Sequence, residues 1–187
     1  MNYAQKKAGG FGCLIAGLVM MSFSLSAAAS EPLPAPLQAK VDTYKKKLVE
    51  WAANPAIISA VKESNTGGGV PGMTNGKWDE LEAKSPAVVV FETNKAGLLL
   101  NKWEEDKGIN KLVLRDEKGN LVAASIKPLL YNNATRPVHI NGMKGQAWAA
   151  AEVKPDPTTQ IKSVQASAPV MDGGKVIGVI HTGITVE

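Results

Sequence analysis

The order of the predicted elements indicates an α+β fold built on one antiparallel sheet. Helical patterns fill the first half of the chain, and strand patterns separated by turn signals dominate the second half. Strand-like runs that follow each other across a short glycine-containing turn pair antiparallel. The last run, 175–186, is apolar or small at both alternating sets of positions, which predicts a strand covered on both faces. We therefore expect a long amino-terminal helix on one face of the sheet and a lid of loop and short helix on the other.

The first 29 residues have the organisation of a secretory signal peptide. Lys6 and Lys7 supply a basic start, the run 11–25 is uncharged, and small residues follow it up to Ala29. The apolar run is shorter than the roughly 20 residues that a membrane-spanning helix needs. We expect cleavage near Ala29 and a periplasmic, secreted protein, with a retained membrane anchor as the alternative.

The composition excludes several classes of site. The chain has one cysteine, Cys13, which lies inside the expected signal peptide, so the exported part has no disulfide, thiolate metal site or c-type haem attachment. The formal net charge of +4 is low for a nucleic-acid-binding protein, and it falls further without Lys6 and Lys7. We expect no cofactor, no metal and no nucleic-acid partner.

A proline-rich lead-in, 30–36, precedes a single domain expected over 37–187. Pro36 can open a helix. Apolar residues then recur every three or four positions, as on one face of a helix: Leu37, Val41, Tyr44, Leu48 and Trp51. Such a stripe either packs on the sheet of its own chain or joins two copies in a homodimer through helix 37–51. Both alternatives stay open.

Three further helices are expected before the first strand. Asn54-Pro55 ends the first helix and can begin a second, and the glycine-rich segment 66–72 is a loop that lacks the ending of a phosphate-binding loop. A short helix is predicted within 74–83. A long helix over 87–106 is predicted, with these residues on its apolar side: Val90, Leu98 and Trp103.

Two hairpins are predicted in the second half. The first joins 109–114 to 121–125, with Gly119 in a turn that Arg115 opens, and we expect Arg115 to lie in solvent. The second joins 159–170 to the last strand.

The segment between the hairpins is irregular at first. Residues 141–151 then have the composition of a helix, despite two glycines.

The two hairpins resemble a known family. INKLVLRDEKGNLVAAS and SAPVMDGGKVIGVIHTGIT are similar to the hairpins of the extracytoplasmic Cache domain, also called the PDC or PAS-like sensor domain. The resemblance runs from about Leu37 to the end of the chain. It implies a PAS-like sheet with a small-molecule pocket, here as a stand-alone secreted domain. It also implies a membrane receptor or sensor protein as partner.

Candidate ligand-binding residues lie around the expected lid. Arg136 can hold a carboxylate through two parallel hydrogen bonds, and Tyr131 and Trp148 can form apolar walls with a polar edge. Each has an alternative as an ordinary surface or packing residue. His181, inside the last strand, is expected to be a hydrogen-bonded residue of the core or the sheet face. The candidates are Tyr131, Arg136, His139, Trp148, Gln165 and Lys127.

These observations predict a sensor module and no enzyme. No serine, histidine and carboxylate pattern indicates a catalytic site, and no residue spacing indicates a metal site. We expect a periplasmic module that binds a small organic acid or amino acid and signals through a partner. The alternative is a ligand-free structural protein that dimerises through its amino-terminal helix.

Overall fold

The computed structural model describes residues 32–187, and the predicted signal peptide lies outside this range. Within this range five helices come first, and six strands with one further helix among them follow, which confirms the α+β prediction. In chain order they are α1 Ala35–Ala52, α2 Pro55–Gly67, α3 Asn75–Asp79, α4 Pro86–Thr93, α5 Lys95–Glu104, β1 Ile109–Asp116, β2 Leu121–Ala124, α6 Pro137–Gly142, β3 Trp148–Ala149, β4 Lys154–Pro155, β5 Lys162–Asp172 and β6 Lys175–Thr185.

The strands form one antiparallel sheet in the order β2-β1-β6-β5-β3, and the short β4 also pairs with β5. The last strand is therefore central. Leu114 lies opposite Ile180, and Ile180 lies opposite Ala168, so apolar residues of three strands share one face. Residues at the alternate positions point to the opposite face, since side chains alternate along a strand. The prediction that β6 is covered on both faces is confirmed, because it is buried from Ile177 to Ile184.

Helix α1 covers the apolar face of the sheet. The stripe residues Val41, Tyr44 and Leu48 are buried there against the strands, and α2 adds Ile57 and Val61 to the same core. Burying one such aliphatic side chain stabilises the fold by about 1.5–3 kcal/mol. The stripe thus packs on its own sheet, and the homodimer, which stays a prediction, has to use the other side of the helix.

The prediction of a single long helix over 87–106 is wrong, because the helix is interrupted at Asn94, between α4 and α5. The side chain of Asn94 accepts a hydrogen bond from the backbone N–H of Gly97 at 2.8 Å, which begins α5, and it donates to the carbonyl of Val122 at 3.0 Å. A Cβ on Gly97 would lie 2.4 Å from the carbonyl oxygen of Phe91. The two helices therefore meet too closely for any residue but glycine.

The break changes which residues are buried. Val90 and Leu98, predicted for the apolar side, are 52% and 59% exposed. Val88, Phe91 and Leu100 are buried instead.

A second apolar cluster lies on the opposite face of the sheet, around Trp78 of α3. The indole of Trp78 is fully buried and donates to the carbonyl of Pro128 at 2.8 Å. Helix α3 is shorter than predicted, and Thr74 caps it by accepting from the N–H of Lys77. The cluster consists of Trp78, Val88, Phe91, Val113, Leu121, Ala124 and Tyr131.

The helix predicted over 141–151 is also wrong. Helix α6 ends at Gly142, and Gly145 has φ +84°, outside the helical region. Trp148 and Ala149 form β3 and pair with Ser167 and Ala166. The open edge of β5 supplies backbone partners here, and this tertiary pairing overrides the local composition. Among residues 32–187, every helix is too short or too polar to cross a bilayer.

Candidate functional site

A cavity of about 540 Å³ lies on the sheet face opposite α1. Its size is within the range of small-molecule sites. The sheet forms its floor, and two segments form its walls: the loop 128–138, and a segment from 150 to 158 that we call the strap. The lid, expected over 131–151, is thus correct for the loop, whereas the part of the strap beyond residue 151 was not predicted to border the cavity.

Polar side chains of three strands form the floor of the cavity. They occupy alternate positions of β1, β5 and β6, on the face that points away from α1, and one loop residue joins them. We call this set the floor: Lys111, Arg115, Asn133, Ser163, Gln165 and His181.

Arg115 is a buried cation at the floor. It is 1% exposed, and its two terminal nitrogens donate to the carbonyls of Leu130 and Tyr131. No carboxylate within residues 32–187 forms an ion pair with it. Its neighbour Asp116 points to the opposite face, where it accepts from the side chain of Ser64. Burial lowers the pKa of Arg115 to about 9. The expectation that Arg115 lies in a solvated turn is wrong, because β1 extends through it.

His181 lies beside Arg115 on the neighbouring strand. Its Nε2 is 3.2 Å from the side-chain nitrogen of Asn133 and 3.5 Å from Nε of Arg115. Both partners are donors, so Nε2 accepts and the proton lies on Nδ1. Within the described chain, neither this Nδ1 nor Oδ1 of Asn133 has a hydrogen-bond partner. Burial, then the charges of Arg115 and Lys111, holds the pKa of His181 well below its usual value. The imidazole is therefore neutral.

Lys111 and Asp156 form a buried ion pair at the other side of the floor. Their side chains are 5% and 0% exposed. Asp156 also accepts from the N–H of Thr158 and from the amide of Gln165, both at 2.8 Å. Burial favours the neutral carboxyl, but Lys111 and the hydrogen bonds outweigh it and lower the pKa of Asp156. Since Asp156 belongs to the strap and Lys111 to β1, this pair ties the strap to the sheet.

The walls of the cavity are mostly apolar. They are formed by Pro128, Leu129, Leu130, Pro137, Val138, Trp148, Ala150 and Ala151. Charged groups lie at the exposed rim: Arg136, and the pair of Glu152 and Lys154, whose atoms are 2.5 Å apart. The cavity is therefore polar at its buried end, apolar at its sides and charged at its opening.

Three of the six predicted ligand-binding residues line the cavity. Arg136 lies at the rim, Trp148 in a wall and Gln165 on the floor. Arg136 lies one residue before α6, so its side chain projects from the start of the lid helix.

The other three lie outside the lining. The hydroxyl of Tyr131 accepts from the N–H of Val70 at 2.7 Å, and its ring belongs to the second apolar cluster. Lys127 donates to the carbonyl of Leu81 at 2.6 Å. His139 is buried within α6, and burial lowers its pKa.

Several lining residues were not selected from the sequence. The sequence predicts His181 only as a core or sheet-face residue, and it marks neither Lys111 nor Asn133 as a ligand-binding residue. The alternation of side chains along β1 indicated a polar face of the sheet, because Lys111 and Arg115 share one face of a strand whose other face bears Leu112 and Leu114.

The lid helix is anchored at one end. A Cβ on Gly142 would lie 2.6 Å from a methyl carbon of Val179 and 3.3 Å from Oγ of Ser167, so the end of α6 lies directly on the sheet. The start of the helix, at Pro137 and Val138, borders the cavity. Among residues 32–187 no group of three His, Cys, Asp or Glu side chains is placed to hold a metal ion.

Comparison with known proteins gives structural similarity only. No protein-family model matches the chain, and no curated protein sequence matches it. The solved structures that are similar include the sensor domain of the Vibrio cholerae histidine kinase DctB, with a TM-score of 0.43, 17% identity, and coverage of 81% of this chain and 58% of that one.

Two further similar structures are sensor domains. For the sensory domain of the Campylobacter jejuni chemoreceptor Tlp3 with isoleucine bound, the TM-score is 0.42 at 13% identity, over 82% of this chain and 64% of that one. For the Escherichia coli DcuS sensor domain the TM-score is 0.40 at 11% identity, over 71% of this chain and 93% of that one. The chain thus spans about three fifths of the DctB and Tlp3 domains.

Proposed function

We propose that this protein is a small-molecule-binding sensor module whose cavity takes a small organic anion by its carboxylate. The single observation that supports the proposal is Arg115, a buried guanidinium that opens onto the cavity without a carboxylate partner in residues 32–187. Burying an unpaired charge costs several kcal/mol, and such charges in proteins are normally paired. A ligand carboxylate supplies the missing partner.

The charge of the lining also favours an anion. Of the described residues that line the cavity, Lys111, Arg115, Arg136 and Lys154 are cationic and Glu152 is acidic. Lys111 pairs with Asp156 and Lys154 pairs with Glu152, so Arg115 and Arg136 supply the net positive charge. Charges in a cleft with low-dielectric walls reinforce one another and attract the opposite charge. Arg136 at the rim then guides the anion towards Arg115 on the floor.

The ligand class is a small organic acid or amino acid, and the protein acts outside the cytoplasm. Export through the signal peptide predicted over 1–29 would place it in the periplasm. A mature amino terminus at Ser30, read from periplasmic protein, would support this.

Signalling requires that the bound and free states differ. The loop 128–138 is the wall of the cavity that the buried pair of Lys111 and Asp156 does not tie to the sheet. A ligand that contacts both this loop and the floor favours one arrangement of the loop, and a membrane receptor or sensor protein recognises that arrangement. Binding of this kind forms and breaks no covalent bond, so the proposed function is binding.

The test is a thermal unfolding screen followed by titration calorimetry. Short carboxylates and amino acids are compared with the corresponding uncharged amides. We expect at least one carboxylate to raise the unfolding temperature and its amide to have no effect. If every anion leaves the unfolding temperature unchanged at millimolar concentration, the proposed function is wrong.

A further inference from the structure

The charge pattern of the floor distinguishes between the two ligand classes. An α-amino acid carries an ammonium group two bonds from its carboxylate carbon. If the carboxylate binds beside Arg115, the ammonium also lies at the floor. The site must then offer a carboxylate or several neutral acceptors to that cation, because an unpaired buried ammonium is costly.

The floor offers no free carboxylate. Asp156 is outside the lining, and its oxygens are occupied by Lys111, Thr158 N–H, Thr159 N–H and the amide of Gln165. Glu152 lines the cavity, but it lies at the exposed rim and is paired with Lys154.

The floor instead presents one cation without a carboxylate partner, Arg115, and two unused polar atoms of neutral groups. Arg115 would repel an ammonium group, whereas the charge of Lys111 is balanced by Asp156. Oδ1 of Asn133 is an acceptor without a partner, and Nδ1 of His181 is a donor without one. A hydroxyl group can donate to such an acceptor without bringing a charge. A carboxylate can accept from the imidazole.

We infer that the cavity selects carboxylic acids whose α-carbon carries hydrogen or a hydroxyl group, and rejects α-amino acids. The remainder of the ligand is apolar, since Leu130, Val138 and Trp148 form the walls above the floor. This inference rests on the proposed function and narrows its ligand class.

Three compounds with one carbon skeleton test the inference: 4-methylpentanoate, 2-hydroxy-4-methylpentanoate and L-leucine. They differ only in the α-substituent, which is hydrogen, hydroxyl or ammonium. Titration calorimetry on the protein 30–187 at neutral pH gives their dissociation constants. We expect L-leucine to bind at least about 100-fold more weakly than either acid.

The hydroxy acid separates charge from size. A hydroxyl and an ammonium group are similar in size, so binding of the hydroxy acid together with rejection of leucine assigns the rejection to charge. Equal rejection of both would mean that the cavity excludes any α-substituent, and the inference would be wrong. Leucine binding as tightly as the acids would also overturn it while leaving the proposed function intact. Binding of none of the three, nor of any other carboxylate, would overturn both.

An isosteric variant tests whether the positive charge of the floor causes the rejection of L-leucine. Asn133→Asp adds one carboxylate beside Arg115 and His181. We expect it to weaken binding of 4-methylpentanoate and to reduce the preference over leucine at least about tenfold. Asn141→Asp, on α6 and outside the lining, makes the same change and should leave the preference unaltered. An unchanged preference in a folded Asn133→Asp protein would contradict the inference. If that variant does not fold, the comparison of the three ligands on the unmodified protein decides.

Discussion

Nε of Arg115 lies 3.5 Å from Nε2 of His181, and the two side chains are buried together at the floor of the cavity. The imidazole turns its lone pair towards the guanidinium, so the pair is stable only while the histidine is neutral. A second proton on His181 would place two positive charges side by side in a poorly solvated site. This relationship makes both stability and binding sensitive to pH.

The first prediction concerns stability near neutral pH. Burial lowers the pKa of both His181 and His139, so in the unfolded chain they take up protons at a pH where the folded protein does not. Their contribution to stability is present above the unfolded pKa of about 6.5 and is lost as the pH falls below it. Urea unfolding between pH 8 and pH 5 should show the free energy of unfolding decreasing.

The matching variant is His181→Asn, which keeps a polar side chain without a titrating group. Its unfolding free energy should depend less on pH over the same interval. A variant with the unchanged pH dependence of the original protein would show that His181 is not responsible.

The second prediction compares the two arginines. Arg115→Gln removes the buried cation, so carboxylate binding should weaken by about 10- to 100-fold, the usual range for one charged hydrogen bond. Arg136→Gln removes an exposed rim charge and should weaken binding by about fivefold or less, mainly through the association rate. Calorimetry and stopped-flow binding would measure both.

Two outcomes would contradict this assignment. An Arg136→Gln protein that loses more affinity than Arg115→Gln would move the carboxylate site to the rim. Equal affinities in both variants and the original protein would mean that neither guanidinium touches the ligand.

The third prediction concerns the buried pair of Lys111 and Asp156. Asp156→Asn leaves the ammonium of Lys111 buried without its anion, so the free energy of unfolding should fall by about 3–5 kcal/mol. Adding Lys111→Met removes the remaining charge and should recover part of the loss. Urea unfolding of the two single variants and the double variant gives the coupling energy directly.

The exposed pair of Glu152 and Lys154 serves as the control. Glu152→Gln should change stability by about 1 kcal/mol or less, because an exposed ion pair is weak. If Asp156→Asn behaves like Glu152→Gln, the strap is not held by the buried pair.

The fourth prediction concerns acid. Asp106, between α5 and β1, accepts from Tyr44, from Lys47 and from the N–H of Gly108. Partial burial acts in the opposite direction, but these donors lower the pKa of Asp106 to about 2. The stability that Asp106 contributes is present above its unfolded pKa, about 3.9, and is lost as the pH falls towards 2.

Tyr44→Phe removes one donor and should lower stability by about 1 kcal/mol at neutral pH, with a smaller further loss between pH 4 and pH 2. Tyr131→Phe also removes a hydroxyl, but its partner is a backbone N–H, so the acid dependence should stay unchanged. Guanidinium unfolding at each pH would distinguish the two. The same acid dependence in both variants would contradict the role of Tyr44.

The sequence predicted the hairpins and the first two helices because local rules determine them. Gly119, at φ +80°, and Gly174, at φ +83°, mark the turns, and the spacing of the apolar residues marks α1. The split between α4 and α5 depends on a hydrogen bond from Asn94 to Val122 and on the close approach of Gly97 to Phe91. The first is a tertiary contact that lies outside 87–106, and the second is a close approach that appears only once the chain turns at Asn94.

The site was predicted less completely than the fold. Arg136, Trp148 and Gln165 were identified because they lie in or opposite the expected lid. Arg115 was predicted to lie in solvent because it directly precedes the turn residues. Strand β1 extends through Arg115, so its side chain lies on the face of the sheet that borders the cavity. The strap was missed because it is held in place by Lys111, which lies 45 positions from Asp156 in the sequence.

Tyr131 joins two regions that are far apart in the sequence. Its backbone carbonyl accepts from the guanidinium of Arg115, and its hydroxyl accepts from the N–H of Val70 in the glycine-rich loop. A Cβ on Gly69 would lie 2.8 Å from the Tyr131 hydroxyl, so the glycine-rich loop packs directly on the residue that accepts from Arg115. Tyr131 therefore links the floor of the cavity to a loop that lies 61 positions earlier in the chain.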